Sequence, residues 1–221
     1  MKPAAIVKAA KEKMLDIIGI TDHNSSENVL SVKRCGEKEG LKVLGGFEIT
    51  TREEVHILGL FDRDEAIMTL QRIIYENLSG ENDEDSFGEQ LIADEFDRVT
   101  SRNKRLLIGA VSIALEDIVK MIHASGGVAI ASHIDREGFG LIGQLGFIPE
   151  GSGIDALEVS HGALVDSPQF TSYGLPLVSF SDAHYLEDIG ENRTRFVMED
   201  ASIPEVRKAL LNECGRRISV E

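Results

Sequence analysis

Six side chains combine imidazole or carboxylate chemistry with a place at the end of an apolar run: His23, Glu48, His56, His133, Asp182 and His184. Neutral imidazole nitrogen and carboxylate oxygen are the ligand types of zinc, manganese and iron. Glu48 is the most informative of them. A carboxylate buried in an apolar strand is costly unless a cation compensates it, so it calls for an arginine or a metal. Taken singly, each of the others has an ordinary explanation. A histidine after a strand commonly bonds within its loop, and Asp182-Ala183-His184 reads equally as a turn. Recurrence at the same place in successive units makes chance a poor explanation for the set. His123 stands apart: in the last turn of a helix near Gly126, it is accounted for by the helix dipole.

The elements that must position these residues follow from periodicity. Pro3–Lys13 reads as a helix with proline in its first turn, and Leu15–Ile20 as a buried strand. A second helix, capped by Ser25 or Ser26, ends near Gly40. Strands at Leu41–Ile49 and Val55–Phe61 form a hairpin, which could turn His56 toward Glu48. Asp64–Leu78 and Leu115–Ala124 show helical spacing. Further strands are expected at Val128–Ser132, Ile154–Val159 and Leu175–Phe180, with Phe196–Met198 a weaker one. Ile203–Glu213 closes as a helix entered through Ser202 and Pro204. Between residues 79 and 105 the character turns polar. Glu81–Asp85 is expected as a solvated acidic loop, with a short helix near Gly88–Phe96. Strands alternating with helices imply a parallel sheet with right-handed crossovers. Polar residues at several strand ends are where a (β/α) barrel builds its active site; an open doubly wound sheet is the alternative. No glycine-rich phosphate loop follows any strand, and Gly45-Gly46 and Gly126-Gly127 read as turn or close-packing glycines.

The 221 residues carry 23 Lys+Arg against 38 Asp+Glu, a formal net charge of −15. That length suits a single α/β domain spanning 1–221. The negative balance repels phosphate backbones and anionic lipid, which argues against nonspecific nucleic-acid or membrane-surface binding. It leaves open the capture of an anion through a metal. Cys35 and Cys214 are far apart and form no CxxC, so neither a disulfide framework nor a cysteine zinc site is indicated. No apolar run is long enough to span a bilayer and Met1-Lys2-Pro3-Ala4 lacks a signal-peptide stretch, so a cytoplasmic location is expected.

Thr21-Asp22-His23-Asn24, Gly46-Phe47-Glu48-Ile49-Thr50, Val55-His56-Ile57-Leu58, Ala131-Ser132-His133 and Ser181-Asp182-Ala183-His184 occur in the order of motifs in the PHP (polymerase and histidinol phosphatase) domain family. The resemblance spans residues 3 to 198. Thr51-Arg52-Glu53-Glu54 and Glu187-Asp188-Ile189-Gly190 add a likeness to stand-alone bacterial members. It implies an α/β fold, a distorted seven-stranded (β/α) TIM-like barrel, with up to three zinc, manganese or iron ions at its C-terminal mouth. It also implies phosphoesterase chemistry, in which a metal-activated water attacks phosphorus.

By motif, His23, Glu48, His56, His133, Asp182 and His184 resemble family metal ligands, and Glu48 the bridging carboxylate. Asp182 and His184 are catalytic candidates that could orient the attacking water. Arg52 and Arg136, just past strand ends, are candidate phosphate clamps because guanidinium forks match phosphate oxygens. Surface ion pairs with Glu53, Glu54 or Glu137 explain them equally well. His161, outside the shared motifs, is a candidate substrate contact. The family's first motif, His-x-His with a nearby acid on the first strand, is absent; the chain begins where the relatives' first helix begins. The first barrel strand is therefore expected to be missing, one metal position empty or weakly held, and the Leu15–Ile20 edge exposed to a partner such as a second copy. A recorded start downstream of the true one is the favoured explanation. Three activities remain in view: a phosphoesterase for a small or nucleotide-like phosphate, a non-catalytic or regulatory binding module with an incomplete metal site, and hydrolysis of C–N bonds.

Overall fold

The computed structural model describes residues 1–220. Its centre is a six-stranded sheet in the order β1 (Ile17–Ile20), β2 (Lys42–Thr50), β3 (His56–Phe61), β6 (Val128–Ala131), β7 (Ala156–Glu158) and β8 (Leu177–Val178). The sheet curls into a half-barrel, an α/β arrangement of the TIM-like class. It has six strands where the resemblance implied seven, with β1 and β8 at its edges. It is also mixed: β1–β2, β6–β7 and β7–β8 are parallel, whereas β3 runs antiparallel to both β2 and β6. The reason lies in the connection. Residues 51–55 form a link too short for a crossover, so β3 must return as a hairpin.

Period-two alternation sorts every strand residue to one of two faces. Val43, Phe47 and Ile49 of β2 and Ile57 and Phe61 of β3 pack outward, with Ala129 and Ala131 of β6 and Leu157 of β7. Against them lie α1 (Pro3–Glu12), α2 (Val29–Glu39), α3 (Asp64–Asn77) and α5 (Leu115–Ala124). Leu44, Leu58, Leu60, Val128, Ile130, Ala156 and Val178 line the concave face. Ile203, Val206 and Leu210 of α8 (Ile203–Leu210) close over it. Ile218 of the C-terminal ribbon β9 (Thr194–Val197)–β10 (Arg217–Val220) packs there too. The concave side is thus an apolar floor, with Glu48, His56 and Ser132 at one end of its strands. β2 and β3 lie so close that a Cβ at Gly46 would collide with the Gly59 carbonyl oxygen.

The 79–105 excursion differs from expectation. In place of a helix over Gly88–Phe96 it holds α4 (Glu84–Phe87) and a hairpin of β4 (Leu91–Ala93) and β5 (Val99–Arg102). Asp83 Oδ1 accepts the Asp85 N–H and starts the helix, and Asp94 Oδ1 accepts the Phe96 and Arg98 N–H groups and makes the hairpin turn. Such side-chain bonds to local backbone compete with helix formation. The hairpin reaches back to the loop after β1: Asn28 bonds the Leu91 carbonyl and the Ala93 N–H. α8 ends at Leu210, and β10 follows it where no strand was expected. The short α6 (Leu141–Leu145) and α7 (Pro168–Thr171) fill connections on the helical side. Among the described residues, no helix is long and apolar enough to cross a membrane.

Candidate metal centre

Strand ends bring the expected residues together at one point. Glu48 sits near the end of β2, 5% exposed, on the concave face. His56 opens β3, and because β3 is antiparallel its first residue lies at the same end. His23 follows β1 and is bridged to Glu48 as the parallel ladder continues; Asn24 N–H donates to the Glu48 carbonyl at 2.9 Å. His133 lies just beyond β6, where the Ser132 N–H donates to the His56 carbonyl at 3.0 Å. The Asn24 side chain locks the first of these turns. Its Nδ2 donates to the Leu107 and Gly109 carbonyls, each at 2.8 Å, and its Oδ1 accepts the Thr50 N–H. Asn24, His133 and Asp182 adopt positive φ of 47°, 27° and 45°. Strain of that kind at three strand ends persists only where surrounding structure enforces it, and it clusters at functional sites.

Three imidazoles surround one carboxylate. His56 Nδ1 lies 3.2 Å and His133 Nε2 3.4 Å from Glu48 Oε1, and His23 Nδ1 lies 3.3 Å from Oε2. His56 Nδ1 and His133 Nε2 are 3.2 Å apart, and the His56 ring stacks on Phe139 at 4.5 Å. Burial pushes the Glu48 carboxyl up, but hydrogen bonds from His133 and His56 and the charge of the imidazoles outweigh it and hold the group well below the usual carboxylate range. Burial pushes His133 down, and its bond to Glu48 more than reverses this. His23 goes the other way, lowered by burial with only partial relief from Glu48.

The donor set fits a divalent cation. His23, Glu48 and His56 each offer a ligand atom within 4.8 Å of the others. His23 Nδ1, His56 Nε2 and His133 Nδ1 are buried without a hydrogen-bond partner. Buried polar atoms are ordinarily paired. The unpaired His23 Nδ1 faces Glu48, whereas His56 and His133 turn their other nitrogen to it. Ring nitrogens of all three histidines thus stand within 3.4 Å of one buried carboxylate, a donor set for an electrophile.

Asp182 and His184 border this group. The His184 ring centroid is 6.2 Å from that of His23, and His184 Nδ1 lies 2.9 Å from the Asp182 carbonyl oxygen. Donation there would leave Nε2 as the free lone pair. Arg136 Nη1 donates to Asp182 Oδ2 at 2.6 Å, so this arginine is tied to the site. Arg52 is exposed and pairs instead with Glu53 at 3.2 Å. His161 is exposed, and its Nδ1 accepts the Ala163 N–H at 3.1 Å, capping a short 3-10 turn. His123 sits in the last turn of α5, as expected, and also bonds Asp155 at 2.8 Å.

One residue escaped sequence reasoning. Glu158, the last residue of β7, is 2% exposed, and burial pushes its carboxyl up to about 7. Ser132 Oγ lies 2.9 Å from Glu48 Oε1 and 3.0 Å from Glu158 Oε2. The signal was present: Glu158 is a carboxylate in an apolar strand, as Glu48 is.

The family model for the PHP domain matches residues 1–139, and that for the PHP-associated region matches residues 170–213. An uncharacterized protein of Methanocaldococcus jannaschii is 38% identical over 60 residues, 27% of this chain and 34% of that one. The lesion-specific endonuclease Q of Pyrococcus furiosus superposes with a TM-score of 0.67 at 20% identity, covering 99% of this chain and 53% of that one. A second endonuclease Q structure, in complex with a 27-mer duplex with an abasic lesion at the active site, gives 0.70 at 18% identity over 98% and 53%. The chain thus spans about half the length of endonuclease Q. A proposed metal-dependent phosphoesterase from Bifidobacterium adolescentis gives 0.58 at 18% identity over 96% of this chain and 91% of that one. At these identities the structural likenesses establish the fold.

Proposed function

The chain belongs to the PHP domain family, and from that premise we propose that it hydrolyses phosphoesters with the aid of divalent metal ions. One observation carries the reading: a buried carboxylate, Glu48, with a ring nitrogen of each of His23, His56 and His133 within 3.4 Å of it. Bound divalent ions would supply Lewis-acid polarisation of a phosphoryl oxygen and acidify the attacking water toward about pKa 7. Everything else is work for this chain's own groups. Glu48, His23 and His56 form the holding set, His133 extends it, and Asp182 with His184 completes it on the solvent side. His184 or Asp182 would orient the water. Arg136, tied to Asp182, can turn its remaining N–H groups to a phosphate oxygen. Arg52 and His161, both exposed, would meet only the outer part of a substrate.

A small or nucleotide-like phosphate is the favoured substrate class. Endonuclease Q acts on DNA, but a chain of formal charge −15 lacks the cationic balance that nonspecific duplex binding requires. The test is metal content and turnover. The chain loaded with manganese or zinc should hold at least one ion and hydrolyse a generic monoester or diester. Less than one ion per chain with no turnover would leave the reading of a non-catalytic module. Glu48→Ala and His133→Ala should each lower bound metal, and unchanged stoichiometry would refute the ligand assignment.

A further inference from the structure

We propose that Ser132 and Glu158 are positioning residues that fix the Glu48 carboxylate and the His133 turn in the arrangement a divalent cation requires. The proposal rests on the metal-site reading above and extends it beyond the ligands. Two neighbouring strand ends supply the pair. Ile130 pairs with Ala156 and Ala131 with Leu157, so the next step of the parallel ladder sets Ser132 beside Glu158, both on the concave face. Each is 2% exposed. The Ser132 hydroxyl reaches Oε1 of Glu48 on one side and Oε2 of Glu158 on the other. The same Glu158 oxygen accepts the His133 N–H at 3.4 Å. One side chain thereby sets the bearing of two ligands, one through a serine and one through the backbone.

A structural role alone does not explain the choice of residue. The concave positions one step deeper are Ala156, Ile130 and Leu58, all apolar, and burying a carboxylate among them is costly. None of the hydrogen bonds to Glu158 comes from a lysine or arginine. Its contacts go to the residue that aims Glu48 and to the main chain of His133. Outer partners of this kind orient metal ligands, and their removal typically lowers metal affinity about 10–100-fold.

Cobalt(II) is the probe, because its visible absorption reports ligand geometry independently of turnover. Titrated into the full chain, it should bind Ser132→Ala and Glu158→Leu about 10–100-fold more weakly than wild type, with altered absorption bands. Glu158→Gln keeps the size of the side chain and its ability to bond Ser132 and the His133 N–H, and should restore affinity and spectrum. Thermal unfolding of the metal-free variants shows whether each folds. Folded Ser132→Ala and Glu158→Leu proteins with wild-type cobalt affinity and spectrum would overturn the proposal while leaving the metal site intact. If Glu158→Leu does not fold, Ser132→Ala decides alone, and equality with wild type refutes the role. A wild-type chain that binds no cobalt overturns both this proposal and the reading beneath it.

Discussion

Two buried carboxylates at strand ends, Glu48 of β2 and Glu158 of β7, meet opposite fates, and the difference is which groups face them. Glu48 is surrounded by imidazoles and stays ionised, whereas Glu158 meets a hydroxyl and a backbone N–H, and burial carries its pKa to about 7. A carboxyl raised above its unfolded value of about 4.3 contributes stability in full below that value and loses it as pH rises through about 7. Chelator-treated protein should therefore lose more stability between pH 5 and pH 8 than Glu158→Gln, which has nothing to ionise there. Comparing urea midpoints of the two proteins sets aside the histidines they share, and parallel pH profiles would show that Glu158 is ionised throughout. Arg136 yields a second expectation. Because its guanidinium is held by Asp182 rather than by the buried imidazoles, Arg136→Ala should leave metal stoichiometry unchanged while kcat/KM for a phosphoester falls about a hundredfold, the scale of losing one preorganised donor. Loss of metal with the arginine would instead assign it to holding Asp182.

Strands explain what the sequence could and could not reveal. The alternation in β2, with Val43, Phe47 and Ile49 on one face and Leu44, Gly46 and Glu48 on the other, is written in residue types, so the face that carries Glu48 was legible. The five-residue link before His56 made the hairpin legible too, and with it the return of His56 to the same end. Glu158 was hidden because Ile154–Val159 is a short run that also holds Asp155, so its period does not single out one acidic residue. The β4–β5 hairpin was hidden by local chemistry: its turn is made by Asp94 accepting backbone N–H groups, a bond that leaves no periodic trace. The Asn24 lock spans more than eighty residues and could not be read from any window. At the sheet edge, β1 pairs only with β2 among the described residues. An edge strand presents unpaired N–H and C=O groups. In hydrogen exchange, peptides covering Ile17–Ile20 should exchange faster than those of β2 and β3. Equal protection would mean that another strand, from a second copy or another segment, covers that edge. Gly46→Ala should disrupt the β2–β3 contact that carries both Glu48 and His56, lowering the melting temperature and metal content together.

At the scale of the whole molecule, charge and site oppose each other. The formal charge of −15 creates a field that repels phosphate at long range, while the Glu48 cluster, once charged with divalent ions, attracts it at short range. The two separate by distance, and salt tells them apart. The screening length falls from about 30 Å at 0.01 M to about 10 Å at 0.1 M ionic strength, which removes the distant repulsion and leaves contacts within the site nearly untouched. For a small dianionic monoester, kcat/KM should therefore rise as salt is raised over that range at fixed metal concentration. A polyanion bound along a basic track behaves oppositely, losing affinity steeply with salt as counterions are released. The sign of the slope thus decides between substrate classes without knowledge of the natural substrate. A rise favours a short phosphoester entering a local cationic centre on an acidic protein. A steep fall, with a duplex as substrate, would show that the relationship to endonuclease Q extends from the fold to the ligand.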